Sequence, residues 1–575
     1  MSSQNETLND HDYSLERPDF FWINESTRTF LERGYLTGDQ TPEERIREIA
    51  DNAARILDKP EFSDKFYHYM ARGYISLSSP VWSNFGKTRG LPISCFGSYV
   101  ADDMGSILAT QAEVGMMTKY GGGTSGYFGA LRGRGTEIKD NGQSSGSVHF
   151  MQLFEKIIDV ISQGAVRRGS FSPYLPISHP DIHEFLDIGT EGNPIQMLNH
   201  AVTVPEGWLQ EMIDGDADKR ATWAKLIQRR GEMGYPYVLF EDNANNNTVD
   251  VYKDKNLKIV ASNLCSEIML PSTEEYSFVC CLSSLNALFF DEWKDTDLVE
   301  TMTYFLDAVM TEFCTRLEEL RDSDDRHKQL AFRQLERSYN FARDHRAIGI
   351  GVLGWHSLLQ SKMLAFDSQE ANQLNVQLFK TMKEQAYAAS ERAAQEYGEA
   401  PLLEGYGRRN TTLMAVAPTT SSAFILGQVS QSIEPIWSNC YVKDLAKLKV
   451  TIKNPFLKKL LAEKGYDDKV TWASIRDNDG SVQHLDWMSD EEKEVFRTFA
   501  EIDQVSIIEQ AAVRQRYIDQ GQSLNIAISP EATPKEINAL YLQAHRQGIK
   551  ALYYQHSINA AQALSRKKIC ESCEA

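Results

Sequence analysis

Ala261-Ser262-Asn263-Leu264-Cys265-Ser266-Glu267-Ile268 places an amide, a thiol and a carboxyl at alternate positions. In an extended chain, residues two apart face the same side, so Asn263, Cys265 and Glu267 are expected to project into one space. An amide can orient a hydroxyl, a thiol can carry redox or radical chemistry, and a carboxyl can move protons. Taken alone, the octapeptide reads as a half-buried strand with one buried Cys, because Cys packs as a small hydrophobe. The positions of the other cysteines change that reading.

The chain has 575 residues, more than one average domain but within reach of one large α/β barrel with additions. Lys and Arg number 60 against 80 Asp and Glu, a formal charge of -20. That balance argues against general nucleic-acid binding, which needs clustered positive charge. A small anion in a local pocket remains compatible with it. Met1 to Ser14 is polar and lacks an apolar core, so no signal peptide is read there. No apolar run is long enough to span a bilayer. The expectation is a cytoplasmic protein with no membrane association, and its eight cysteines are read as reduced thiols with a few functional ones.

Thr41-Pro42-Glu43-Glu44 is a capping box with Pro at the first helical position, so a helix is expected to about Leu57 and a second from Pro60 to Gly73. Residues 1–88 form an N-terminal helical region. From Gly90, short apolar runs alternate with helical ones, an α/β texture that continues through residues 89–555. Strands are expected at Ser94–Val100, Lys258–Leu264, Phe278–Leu288, Ala347–Leu353, Leu413–Ala417 and Ile549–Gln555. Residues 443–490 read as a charged, irregular surface insertion, and Ser489 to Gln520 as one long helix. Thr533-Pro534-Lys535-Glu536 opens a helix that ends at Gly548. The glycine loops near Tyr120 and Leu131-Arg132-Gly133-Arg134-Gly135 can bring backbone and guanidinium groups to a phosphate. Neither is a Walker loop or a dinucleotide fingerprint. Pro418-Thr419-Thr420-Ser421-Ser422 puts hydroxyls after a strand and at a helix start, which suits an anion.

The chain ends in Cys570-Glu-Ser-Cys573 after Arg566, Lys567 and Lys568, cations that favour thiolate. A dithiol on a tail, residues 556–575, reads as an electron shuttle to a buried disulfide. Half a zinc site is the other reading, but no second ligand pair completes it. Cys95 and Cys280, on separate strand-like runs, are candidates for the buried dithiol.

Leu77-Ser-Ser-Pro80, Ser94-Cys95, Gln163-Gly-x-Val-Arg167, Ser262-Asn-Leu-Cys-x-Glu-Ile268, Cys280-x-Leu-Ser-x-x-Asn286, Pro418-x-x-Ser-Ser422, Ile433-Glu-Pro435, Leu552-Tyr-Tyr-Gln555 and the tail dithiol occur in this order. In them the chain resembles the catalytic (large) subunit of class I ribonucleotide reductase. The resemblance implies a ten-stranded α/β barrel of two five-stranded halves around a cysteine-bearing finger loop. It implies a thiyl radical on Cys265 that takes the ribose 3′-hydrogen, Glu267 as general base, and Asn263 on the ribose hydroxyls. Cys95 and Cys280 supply two electrons, and Cys570 and Cys573 reduce them again. Ser79, Ser94, Thr419, Thr420, Ser421 and Ser422 hold substrate. Tyr553 and Tyr554, as a stacked pair, carry the radical from a metal-containing small subunit, so this chain holds no permanent cofactor. Asp102, Arg132 and Arg134 surround a dNTP or ATP effector, with Gln163 and Arg167 relaying to substrate. Thioredoxin or glutaredoxin, a ribonucleoside diphosphate and a second copy of the chain complete the implied partners.

Three features depart from the family pattern. Too few residues precede Ser79 for the N-terminal nucleotide-binding cone, so no overall dATP switch is expected. Thr420 stands where many relatives carry an acid. The Cys280-Cys281 doublet leaves two candidates, and Cys280 is chosen because Leu282, Ser283 and Asn286 then fall at the family's offsets. The competing readings are an adenosylcobalamin-dependent relative with the same barrel and a non-catalytic nucleotide-binding protein.

Overall fold

The computed structural model describes residues 16–93, 95–163, 168–427, 429–444 and 449–557. Its centre is a nine-stranded sheet among those residues. The strands are β1 (Ile75–Leu77), β2 (Cys95–Tyr99), β3 (Gly123–Tyr127), β4 (Phe171–Pro176), β5 (Ala201–Val204), β6 (Tyr237–Phe240), β7 (Phe278–Asn286), β8 (Ile348–Leu353) and, later, β10 (Ala551–Leu552). Strands β2 to β6 are parallel neighbours in chain order. Strand β7 lies antiparallel to β2, and β8 lies parallel to β7. The curl continues through parallel bridges from Ile350 to Met414 and from Val416 to Gln522. The segment after Gln522 holds β9 (Ile526–Ile528), which pairs with β11 (Gln555–Ser557), and β10 returns antiparallel to β6. Ten chain segments thus close a ring of two five-membered halves, and antiparallel seams join the halves. Strands β2 to β8 are buried nearly throughout, as expected for a parallel sheet covered on both faces.

Helices Leu298–Arg321, Arg326–His345 and Gln369–Tyr397 cover the second half. At their junction, buried Asp307 accepts from Arg346 Nε at 2.8 Å and Arg409 Nε at 2.6 Å. The two guanidinium groups outweigh the burial penalty and hold its carboxyl down at about 2.

The N-terminal helices form as the capping signals predict. Pro42–Leu57 has its complete box, with Thr41 and Glu44 bonded to each other's backbones. Arg45 on that helix is buried and donates to the carbonyls of Trp82 (2.9 Å), Val81 (3.2 Å) and Phe85 (2.7 Å). It satisfies the end of helix Ser79–Asn84 and fixes that helix to the N-terminal region. Tyr35 Oη donates to Ser79 Oγ at 3.1 Å.

Four expectations are corrected. No strand forms over Lys258–Leu264, which runs as an irregular segment through the barrel. Leu413–Ala417, buried through Val416, is held by isolated bridges rather than a ladder. The stretch after Cys440 is not irregular: a hairpin and helices Pro455–Lys464 and Lys469–Asp477 enclose a core of Leu457, Leu461, Trp472 and Ile475. The long helix after Ser489 is broken into Asp490–Val495 and Gln504–Gln515, because Thr498 and Glu501 form a further capping box between them. Among the described residues no helix is long and apolar enough to cross a membrane.

Candidate active site

The finger segment is a turn, not an extended run. Ser266 has a left-handed φ of 66°, and the turn is fixed from three sides. Asn263 Oδ1 accepts from the backbone N–H of Glu267 (3.1 Å) and Ile268 (3.2 Å). Tyr174 Oη donates to the Asn263 carbonyl at 2.7 Å. Gly521 N–H donates to the Glu267 carbonyl at 2.8 Å. Although the expected alternation fails, Asn263, Cys265 and Glu267 still line one cleft of about 170 Å³. Cys95, Ser79, Thr419, Thr420, Ser421 and Ser422 line the same space.

Cys95 and Cys280 are directly opposite each other across the β2/β7 seam. Opposed residues in an antiparallel pair have Cα atoms about 4.5–5.5 Å apart, within the span a disulfide bridges. Cys281 is one residue out of phase and is paired with Ile348, on the other side of the strand. Cys280 and Cys281 are free thiols. Cys95 is half-buried and receives Asn263 Nδ2 at 3.5 Å. Cys280 is fully buried, and burial pushes its thiol well up. Close packing makes room for the pair: a Cβ on Gly97 would meet the Phe278 ring at 2.1 Å.

Glu267 is buried, which pushes its carboxyl up to about 7 against the pull of its hydrogen bonds. Ser523 Oγ lies 3.1 Å from Glu267 Oε2 and 2.6 Å from the Cys265 carbonyl, so one hydroxyl ties acid and thiol together. Gln520 Nε2 lies 3.4 Å from Cys280 Sγ. Neither Ser523 nor Gln520 was singled out from sequence. They flank Gln522, which bridges to Val416, and the only available signal was a polar run, Gln520-Gly-Gln-Ser523, between a helix and a buried strand.

The hydroxyl segment is clamped to the barrel edge. Thr419, at a left-handed φ of 56°, accepts Ser432 N–H on Oγ1 at 2.7 Å. Ser422 Oγ donates to the Leu77 carbonyl at 3.4 Å, and Ser76 Oγ donates to the Ser422 carbonyl at 3.0 Å. Thr420 Oγ1 reaches Gln431 Oε1 at 3.4 Å, an amide partner.

Tyr553 and Tyr554 are buried with ring centroids 4.4 Å apart, but the rings are tilted at 59° rather than stacked. Tyr237 touches both, at 4.7 Å and 5.0 Å, and Cys265 packs against the same cluster. Tyr554 Oη accepts from Asn199 Nδ2 at 3.0 Å. Its backbone N–H donates to Asn525 Oδ1 at 3.1 Å, and the Asn525 amide holds Glu434, a buried carboxyl pushed up to about 8.

The expected effector residues are not in this cleft. Arg132 Nε is paired with Asp102 at 2.7 Å, and Arg134 with Glu184 at 2.7 Å, both at half-exposed positions. Gln163 Nε2 donates to Asn84 Oδ1 at 3.0 Å, at the far end of the helix that begins with Ser79. Ser94, Arg167, Cys570 and Cys573 lie outside the described residues.

The family model for the ribonucleotide reductase barrel domain matches residues 93–218, 215–405 and 400–555, and that for the all-alpha domain matches residues 24–90. The chain belongs to the ribonucleotide reductase family. Among curated relatives, a putative ribonucleoside-diphosphate reductase large subunit of Frog virus 3 is 35% identical over 515 residues, covering 86% of this chain and 88% of the relative. The ribonucleoside-diphosphate reductase large subunit of Invertebrate iridescent virus 3 is 32% identical over 608 residues, covering 92% of each. The solved class Id ribonucleotide reductase alpha subunit of Actinobacillus ureae superposes with a TM-score of 0.87 at 56% identity, covering 95% of this chain and 99% of that one. Large-subunit character, the ribonucleotide reductase barrel and an oxidoreductase role in deoxyribonucleotide synthesis, each expected from the sequence, are established by these likenesses.

Proposed function

We propose that the cleft reduces ribonucleoside diphosphates to 2′-deoxyribonucleoside diphosphates by a thiyl-radical mechanism. The observation that carries this reading is the convergence of Cys265, Glu267, Asn263 and Cys95 on one cleft, with Cys280 in register behind Cys95. A Cys265 thiyl takes the hydrogen from the ribose 3′-carbon. Glu267, when ionised, accepts the 3′-hydroxyl proton. Water leaves the 2′-carbon, two electrons come from the Cys95 and Cys280 thiols, and these close to a disulfide. Cys265 then returns its hydrogen to the 3′-carbon and is a thiyl again, and Glu267 returns the proton to the 3′-oxygen. The turn hydroxyls Thr419 to Ser422, with Ser79, hold the substrate phosphates, and Asn263 Nδ2, now aimed at Cys95, turns to the ribose hydroxyls when substrate enters.

The radical enters from a separate metal-containing small subunit through Tyr554 and Tyr553, whose cluster contacts Cys265. The tail cysteines Cys570 and Cys573 reopen the disulfide and are reduced in turn by thioredoxin or glutaredoxin. A dimer of this chain, working in the cytoplasm with a dNTP or ATP bound near Asp102, Arg132 and Arg134, is the assembled form. The helical region 1–88, the barrel 89–555 and the tail 556–575 are its working parts.

Turnover of CDP, with and without a candidate metalloprotein subunit and with and without adenosylcobalamin, tests the reading. Deoxycytidine diphosphate is expected only with the metalloprotein. Turnover on cobalamin alone would overturn the class I assignment.

A further inference from the structure

We propose that the Cys95–Cys280 disulfide is opened by attack on Cys95, and that Cys280 departs as a thiolate held by Gln520. The inference rests on the redox reading above and adds to it an order of attack and a positioning residue.

The two sulfurs are not equivalent. Cys95 lines the cleft, whereas Cys280 is fully buried behind it. Thiol–disulfide exchange needs the incoming sulfur to approach the attacked sulfur from behind, along the S–S axis. Away from the cleft Cys280 is enclosed by packed side chains. A Cβ placed on Gly349 would lie 3.5 Å from Cys280 Sγ, 2.9 Å from Ala415 Cβ and 2.4 Å from Leu282. No thiol fits there, so a reductant entering the cleft can reach only Cys95.

The leaving sulfur then carries a full charge into a buried site, which costs a great deal without a donor. Gln520 supplies one. Its Oε1 is committed to the Met269 N–H at 3.1 Å, so the amide cannot flip, and Nε2 faces Cys280 Sγ at 3.4 Å. Thr412 Oγ1 at 3.0 Å and the Ile348 carbonyl at 3.1 Å take the other N–H direction. The backbone is anchored as well. Gln520 N–H donates to the Met414 carbonyl at 3.1 Å, and the Gln520 carbonyl accepts from buried Lys550 Nζ at 2.7 Å.

The exchange balances with a dithiol as reductant. Its thiolate gives an electron pair to form a new S–S bond to Cys95. The Cys95–Cys280 bond breaks, and Cys280 keeps that pair as thiolate. The reductant's second thiolate then attacks its own sulfur in the mixed disulfide and releases Cys95. The reductant ends as a disulfide, and the two protein thiolates take up two protons.

The test uses the full-length chain carrying Cys570→Ser and Cys573→Ser, so that the tail cannot take up the disulfide, oxidised by one turnover with CDP and the small subunit and freed of reductant. If free thiols have not fallen by two per site, the redox reading itself fails and the inference falls with it. Where they have, the disulfide is treated with the monothiol 2-mercaptoethanol, quenched in acid, alkylated and mapped by peptide mass. The adduct is expected on Cys95 and the alkyl group on Cys280; an adduct on Cys280 overturns the proposal even if no Gln520 variant folds. Gln520→Leu is expected to slow reduction by dithiothreitol roughly 10- to 100-fold, the factor for losing a hydrogen bond to a charged group. The pH midpoint for re-closure of the Cys95 adduct by Cys280 should move up by roughly one to two pH units for the same reason. A merely structural role would leave that midpoint in place, and an unchanged rate and midpoint would remove Gln520 from the step.

Discussion

With Glu267 as the proposed general base, turnover should rise with pH through about 7, because a carboxyl accepts a proton only when ionised and burial holds this one near that value. At about pH 6 roughly one-tenth of the sites carry the base, and at about pH 8 roughly nine-tenths do, so kcat/KM for CDP should increase about tenfold. An ordinary glutamate, ionising near 4.5, would give an almost flat profile over the same interval. The assignment to this residue is checked by infrared difference spectra. A protonated-carboxyl band should be present at the lower pH, lost at the higher, and missing in Glu267→Gln, which should also be inactive. The same burial has a stability side. A carboxyl raised by folding contributes most below its unfolded value near 4.5, and that contribution is lost as pH rises towards 7. At about 1.4 kcal/mol per pH unit the gap is worth roughly 3 kcal/mol, so Glu267→Gln should unfold at higher denaturant than the unaltered chain near pH 8 but not near pH 4.5. A flat rate profile, or a carboxyl band that titrates near 4.5, would refute the reasoning.

Tyr554→Phe should abolish multiple turnovers while leaving nucleotide affinity unchanged by calorimetry; full activity would remove the radical path. Cys570→Ser with Cys573→Ser should give about one reduction per site with thioredoxin and continue with dithiothreitol. Sustained thioredoxin-driven turnover would count against the shuttle. Asp307→Asn leaves Arg346 and Arg409 without their shared carboxylate and should destabilise the fold by about 3–5 kcal/mol, read as a lower denaturant midpoint. In the unaltered chain that contribution should persist at neutral pH and fade as pH falls from about 4 towards 2, because the ion pairs depress the carboxyl.

Local signals in the sequence located the ends of elements well. The boxes at Thr41 and Thr533 start helices as expected, because their hydrogen bonds involve only residues three apart. Period-two spacing reads the finger as an extended run, where the family resemblance implies a loop, and it fails for the opposite reason. Beside the local bonds to Asn263 Oδ1, its turn is held by Tyr174, Gly521 and Ser523, partners far away in sequence, and period-two spacing cannot report them. The choice of Cys280 over Cys281 rested on motif offsets, whereas the strand register separates them directly. The break after Ser489 was legible in principle: Thr498-Phe-Ala-Glu501 is itself a capping box, hidden inside a run with good helical composition. The polar stretch after Cys440 gave no hint of its small core, because Trp472 and Ile475 are spaced for one helix face among many charges.

The wall that Ser78, Ser79 and Pro80 give to the cleft has a consequence for modularity. That wall belongs by chain order to the helical region, is braced by Arg45 and Tyr35, and faces hydroxyls from the opposite end of the barrel. A barrel expressed alone would have a cleft with one wall missing, and a helical region borrowed from a distant homologue would arrive with the wrong fit. The two pieces are therefore constrained to co-evolve as one catalytic unit, and chimeras should be cut inside the helices rather than at the junction near residue 88.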